Sequence, residues 1–151
     1  MNIQKAKKFV SFAKSIYCEE NIPLHRPLFK GSEEEYLEKC IKSNFVSSVG
    51  QYVNKFEQGV ANFVGSSYGV ATINGTSALH AALHVGGVRE NDEVITQALT
   101  FVATSNAILY AGANPIFLDV DVDTMGLSPD ALKKYLHYNA KKSSGHAWNK
   151  Q

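Results

Sequence analysis

Cysteine is scarce in this sequence, and its scarcity excludes two classes of protein at once. Cys18 and Cys40 are the only two. Two cysteines make no disulfide framework, and their spacing is not that of metal ligands, so a reducing cytosol is the simplest setting. Charge of one sign is not in excess either. Fifteen Lys and Arg stand against 14 Asp and Glu, a net of +1, which gives no general pull toward nucleic acid or a membrane surface. Long apolar runs are missing: nothing approaches the ~20 residues of a membrane span. Near the N-terminus Lys14 and Ser15 interrupt the apolar run that a secretory signal would need unbroken. Two phosphate-binding fingerprints are absent as well, since no Gly-Lys-Ser/Thr and no Gly-x-Gly-x-x-Gly occurs.

What remains is a globular composition, 44% hydrophobic and 19% charged over 151 residues, with room for one ordinary domain. Phe9, Phe12, Ala13, Ile16 and Tyr17 follow helical spacing, so residues 1–20 are read as an amphipathic helix. Its stripe is expected to pack on this chain or on a partner rather than on a membrane. Residues 21–67 are read as a helical segment. In "SEEEYLEKCIKSNF", Ser32 and Glu35 have the spacing of a capping box, and "YVNKFEQGVANFVG" resumes helical periodicity up to a stop at Gly65.

From Tyr68 the pattern changes. "YGVATI", "DEVITQ" and "NPIFLDV" read as strands, each followed by a helix, the second closed by Gly112 and the third opened by Ser128 and Pro129. Strand and helix in alternation with short links predict an α/β fold with a parallel sheet over residues 68–138. Residues 139–151 are polar and read as a tail without another strand. A three-stranded sheet leaves open edges, so the chain is expected to be part of a larger domain.

Ligands in parallel α/β folds gather where a strand ends and the next helix begins. "NGTSALH" occupies such a junction. Gly75 lets a backbone approach closely, and Thr76 and Ser77 add hydroxyls to the positive end of a helix, which suits a phosphate. A plain helix cap by Thr or Ser is the simpler alternative. Phe101 follows the second strand, at the same edge of the sheet as Thr76, and reads either as simple core or as a cover for the flat face of a ring whose phosphate sits at Gly75–Ser77. No metal is expected. His80 and His84 are four apart, but Ala81 stands where a zinc-protease helix needs Glu, and they read as packing residues. Asp119, Asp121, Asp123 and Asp130 have calcium-loop spacing, yet Thr124 replaces the required Gly and a strand precedes them.

The run "NGTSALHAALHVGGVRENDEVITQALTFVATSNAILYAGANPIFLDVDVDT" resembles the DegT/DnrJ/StrS family of pyridoxal-phosphate-dependent sugar aminotransferases, and "PLFKGSEEEYLEKCIKSNFVSSVGQYVNKFEQGVANFVG" extends the likeness over roughly residues 22 to 137. The family pattern of Gly-Thr-x-Ala-Leu, Gly-Asp-Glu-Val, Thr-Phe-x-Ala-Thr, Gly-Ala-x-Pro and Asp-x-Asp is followed here in order, with Asn91 in place of the Gly of Gly-Asp-Glu-Val. The resemblance implies the N-terminal part of the fold type I large domain, three-layer α/β/α with a mainly parallel sheet. It implies pyridoxal 5'-phosphate as cofactor, its phosphate held by Thr76 and Ser77 with Gly75 giving access, and Phe101 stacked on its ring. Ser77 stands where many members have Ala, so its backbone N–H is the expected contact.

Ser48 and Gly50 are implied near the sugar substrate or the dimer partner. "NIPLHRPLF" and "VSSVG" look most like the branch that aminates C4 of nucleotide-linked 4-keto-6-deoxy sugars for surface glycans, with glutamate as the donor. A homodimer is implied. The catalytic lysine that anchors the cofactor, and the Asp that pairs with its ring nitrogen, occur later in family members, which run to more than twice this length. Lys141, Lys142 and Lys150 do not match that motif, so the chain alone is expected to be inactive. A dehydratase relative, and a non-catalytic α/β module that binds a phosphorylated ligand or another protein, are the alternatives.

Overall fold

The computed structural model describes residues 3–23, 25–143 and 146–150. They fall into two compact units, Met1–Asn54 and Lys55–Gln151. The second unit carries the α/β architecture. β1 (Glu93–Gln97) and β2 (Asn114–Leu118) pair in parallel, with Ile95 opposite Ile116. Parallel neighbours need a crossover, and α5 (Val102–Tyr110) supplies it. Its sequence, VATSNAILY, is apolar on nearly every side, as a helix must be that packs on both a sheet and a second helix. α5 contacts β1, β2 and α4 (Gly75–Val85), and Ala107 and Ile108 are its buried residues. Ala113 and Ala61 complete the buried apolar set among the described residues.

The strand starts are tied together by backbone bonds. Asn91 N–H donates to Gly112 O at 2.9 Å and Asn114 N–H donates to Asp92 O at 2.7 Å. Gly112 (φ +74) stops α5, and Gly65 (φ +71) follows α3 (Gln51–Val64). α6 (Pro129–Asn139) begins as expected, with Ser128 Oγ accepting from Ala131 N–H at 3.2 Å.

Three expectations need correction. "YGVATI" is not a strand. Ala71 N–H is taken by the Glu57 carboxylate of α3 at 2.8 Å, and Ser66 Oγ donates to Tyr68 O at 2.8 Å. Gly69 lies so close to α3 that a Cβ there would stand 2.5 Å from Glu57 O. Two of the segment's backbone groups, Ala71 N–H and Tyr68 O, are thus taken by Glu57 of α3 and by Ser66 rather than by a neighbouring strand. Second, the polar segment after α6 does form strands: β3 (Ala140–Ser143) and β4 (His146–Asn149) pair antiparallel, with Lys141 opposite Trp148. Positions 144, 145 and 151 of that segment lie outside the described residues.

The third correction concerns the first unit, which holds α1 (Ile3–Tyr17), α2 (Glu33–Ser43) and the start of α3. Ser32 makes no side-chain cap on α2. The Glu33 carboxylate instead accepts from Gly31 N–H at 2.8 Å, and Glu35 pairs with Lys39 one turn along. A residue three positions ahead that prefers its own i,i+4 partner is lost to the box. α1 has no buried residue, and its stripe of Phe9, Phe12 and Ile16 is exposed. Arg26 grips Glu19 through both guanidinium nitrogens, which holds the Glu19 carboxyl below its ordinary range. No helix among the described residues is long and apolar enough to cross a membrane.

Candidate cofactor-binding site

α4 starts where the chain leaves the extended residue Asn74 (φ −162, ψ 171). Asn74 caps it twice over. Its side-chain Oδ1 accepts from Ser77 N–H at 2.9 Å, and its carbonyl accepts from Ala78 N–H at 3.1 Å. Thr72 Oγ1 donates to the same carbonyl at 3.0 Å. The cap and the predicted phosphate-binding residues are therefore different residues. Because Asn74 does the capping, Thr76 and Ser77 keep their hydroxyls free of any partner among the described residues. The N–H groups of Gly75 and Thr76, first in the helix, have no carbonyl four residues back to accept them. One detail of the expectation changes: Ser77 N–H is already engaged, so Ser77 has its hydroxyl to offer.

Space and charge both suit an anion at this mouth. A Cβ at Gly75 would meet nothing within 4 Å. The first turn of α4 carries no acidic residue, and the helix dipole adds positive potential. Phosphate is the group such a mouth accepts most readily.

Phe101 is the N-cap residue of α5 and is 78% exposed, so its ring face is open. The loop that delivers it is well braced. Ala98 N–H donates to Leu118 O at 2.9 Å, Gln97 Nε2 to Leu99 O at 2.6 Å, and the Thr100 and Thr104 hydroxyls meet at 2.9 Å. Thr76, Ser77 and Phe101 thus sit at the first turns of α4 and α5, the two helices that pack on each other. These residues offer free hydroxyls of the kind a phosphate takes and an exposed aromatic face of the kind a flat ring takes.

Ser48 and Gly50 belong to the first unit, in the link between α2 and α3. Ser48 is exposed. Gly50 (φ +153) lines a 290 Å³ cavity with Leu37, Phe45 and Val53, and a Cβ there would press on Phe45 Cβ at 3.2 Å. His80 stands edge-on to Tyr110, ring centres 5.9 Å apart, and both line a 440 Å³ concavity with His84 and Ser77. The Asp119–Asp123 turn is closed on itself. Asp121 Oδ1 accepts from Asp123 N–H and Thr124 N–H, each at 2.9 Å, and these bonds hold its carboxyl below the usual range. No group of three or more His, Cys, Asp or Glu among the described residues is arranged to hold a metal. Asn74 and Glu57 are the residues sequence reasoning missed. The signal for Asn74 was present, since Asn directly ahead of a helix is a preferred cap.

Comparison with known proteins decides what this arrangement belongs to. Residues 28–142 match the DegT/DnrJ/EryC1/StrS aminotransferase family. The chain belongs to that family.

Among curated relatives it is 42% identical over 113 residues to GDP-perosamine synthase of Escherichia coli O157:H7, a match that covers 75% of this chain and 31% of that one. Among solved structures, the aminotransferase from Psychrobacter cryohalolentis superposes with a TM-score of 0.66 at 33% identity, covering 74% of this chain and 29% of that one. Spr1654 from Streptococcus pneumoniae, in its PLP-form, gives a TM-score of 0.67 at 27% identity, covering 76% and 29%. The chain therefore spans about a third of the length of the relatives it matches. Within the family fold, the α4 mouth and the β1–α5 junction are the parts of the α/β unit described above.

Proposed function

We propose that the protein to which this chain belongs is a pyridoxal-phosphate-dependent aminotransferase of nucleotide-linked sugars. It moves an amino group from glutamate to C4 of a 4-keto-6-deoxy sugar for surface glycan synthesis, acting in the cytoplasm as a homodimer. In net terms glutamate becomes 2-oxoglutarate while the sugar ketone becomes an amine. The observation that carries the reading is the α4 mouth, where Gly75 leaves open space and Thr76 and Ser77 present unpartnered hydroxyls, in a chain of this family.

Thr76 and Ser77 donate their hydroxyl protons to phosphate oxygens, and the N–H groups of Gly75 and Thr76 add charge-assisted bonds. Asn74 fixes the helix start, so these donors are set before the ligand arrives. Phe101 covers one ring face and excludes water from it. Bound there, the cofactor supplies the electron sink that amino transfer needs. Neither the anchoring lysine nor the ring-nitrogen Asp is assigned to a residue of this chain, so its own role is to hold the phosphate and the ring. The relatives' names support the sugar class: GDP-perosamine synthase carries its nucleotide in its name.

The test uses pyridoxamine 5'-phosphate and equilibrium dialysis. Saturable binding is expected, with pyridoxamine lacking the phosphate at least tenfold weaker. Thr76→Val is expected to weaken binding about tenfold, the value of one hydrogen bond to a charged group. Equal binding of the two probes would remove the phosphate role of the α4 mouth. A separate assay follows nitrogen-15 from labelled glutamate into a nucleotide-linked 4-keto-6-deoxyhexose. No label transfer by this chain alone is expected, and turnover would overturn the division of labour stated here.

A further inference from the structure

The side chain of Phe101 makes no cap bond on α5. Its aim therefore follows from the backbone on either side of it, α5 after it and residues 98–100 before it. That short loop is tied at both ends. Ala98 N–H continues the ladder to Leu118 O, and the Thr100 hydroxyl meets Thr104 of α5. Thr100 N–H also donates to Ala98 O at 3.1 Å, which draws the loop tight.

The middle of the loop is held by a side chain from the sheet. Gln97 ends β1 opposite Leu118 of β2 and is half-buried. Its Nε2 donates to Leu99 O at 2.6 Å. A longer contact, 3.4 Å, runs from the same nitrogen to Met125 O, 28 positions on. Both neighbours are carbonyl oxygens, which only accept, so the position calls for a donor of this length. Met125 is itself fixed. It lies at φ +56 in the turn after β2, where its N–H donates to Asp121 O at 2.8 Å and Asp121 N–H donates to Gly126 O at 2.8 Å.

The amide thus joins the loop before α5 to a turn that is already closed on itself. Removing it leaves the ladder, α5 and the turn with their own bonds, and frees only the loop between them. A loop ordered in advance binds its ligand without the cost of ordering it on contact.

We propose that Gln97 is the positioning residue for Phe101: its amide clamps the loop before α5 and so aims the ring before the cofactor arrives. The ring's role rests on the cofactor reading given above, whereas the clamp does not, and the experiment separates the two. Hydrogen exchange of the intact, ligand-free chain is followed first at single amides. Gln97→Ala and the equally long but donorless Gln97→Met are each expected to speed exchange at Thr100 about fivefold, while Ile95 in β1 keeps the parent rate and shows the sheet intact. Pyridoxamine 5'-phosphate is then titrated by equilibrium dialysis and by circular dichroism of the bound ring. Gln97→Ala is expected to weaken binding about threefold to tenfold and to reduce the ring signal at saturation. In a double-mutant cycle this effect should vanish on a Phe101→Ala background and persist on a Thr76→Val background. A general brace would instead act equally on both backgrounds. Unchanged exchange at Thr100 overturns the proposal whatever the ligand does, and so does a Gln97→Ala effect that survives Phe101→Ala in full. Faster exchange at Thr100 in a parent chain that binds no probe removes the cofactor reading and the ring's role with it, and leaves the clamp on the loop upheld.

Discussion

The helices α2 and α4 begin in opposite ways, and the contrast explains why only α4 is proposed to hold a ligand. α2 opens with Glu33, Glu34 and Glu35, three carboxylates that occupy the positive end of the helix themselves. Its nominal cap, Ser32, makes no side-chain bond. α4 opens with Gly75, Thr76 and Ser77, carries no acid in its first turn, and is capped by a neutral amide outside the helix. Both starts carry the same dipole. In α2 that potential is spent within the chain, whereas in α4 no acidic side chain of the first turn uses it. The packing differs too: α4 packs on α5, whose Ile108 is buried, although neither α4 nor α2 has a buried residue of its own.

Four experiments break or sharpen this contrast, from the largest effect to the smallest. Ile108→Ala removes the main buried side chain beneath α4 and α5 and is expected to cost about 3 kcal/mol, read by urea unfolding. It should loosen the α4 mouth as well, so pyridoxamine 5'-phosphate binding falls with it. Asn74→Ala deletes the working cap and is expected to cost about 1 kcal/mol, whereas Ser32→Ala should stay within about 0.5 kcal/mol. Equal losses at the two sites would erase the distinction drawn between them.

Asp121 offers a pH test on a third type of terminus, the turn before α6. Its folded-state pKa lies below the ordinary value, held there by bonds from Thr124 and Asp123. The stability it contributes is therefore fully present above the ordinary carboxylate range, and is lost as pH falls through the lower folded value. Acid titration of Asp121→Asn should show a shallower loss of stability below about pH 4 than the parent chain does. The smallest effect is expected on α2. Glu35→Gln breaks the exposed pair with Lys39 and should move the melting temperature by no more than about 1 °C, a change that salt removes.

Much of this was legible in the residues. The α5 and α6 helices, both strands of the parallel pair and the stops at Gly65 and Gly112 follow from periodicity and from glycine at positive φ, which are local effects. The start of α4 at Gly75, on which the phosphate proposal rests, was visible for the same reason. What was not legible depends on groups distant in sequence. Whether "YGVATI" becomes a strand turns on where Glu57 puts its carboxylate, fourteen residues upstream of Ala71. Whether Ser32 caps depends on what Glu33 and Glu35 prefer to bind. The β3–β4 hairpin escaped notice because its residues, AKKS and HAWN, have no clean alternation, and its anchor is Glu93, 56 positions before Asn149.

By itself, then, the sequence determined the class of fold, the family and the chemistry offered at the mouth of α4. Propensity, capping and the small-residue junction act within a few residues of chain and need no tertiary partner. Only the tertiary structure decided which donors remain free there, by assigning the cap to Asn74. It also decided that a polar segment pairs as a hairpin anchored on Glu93. Both depend on which hydrogen-bonding groups have already found a partner elsewhere, and that depends on contacts distant in sequence.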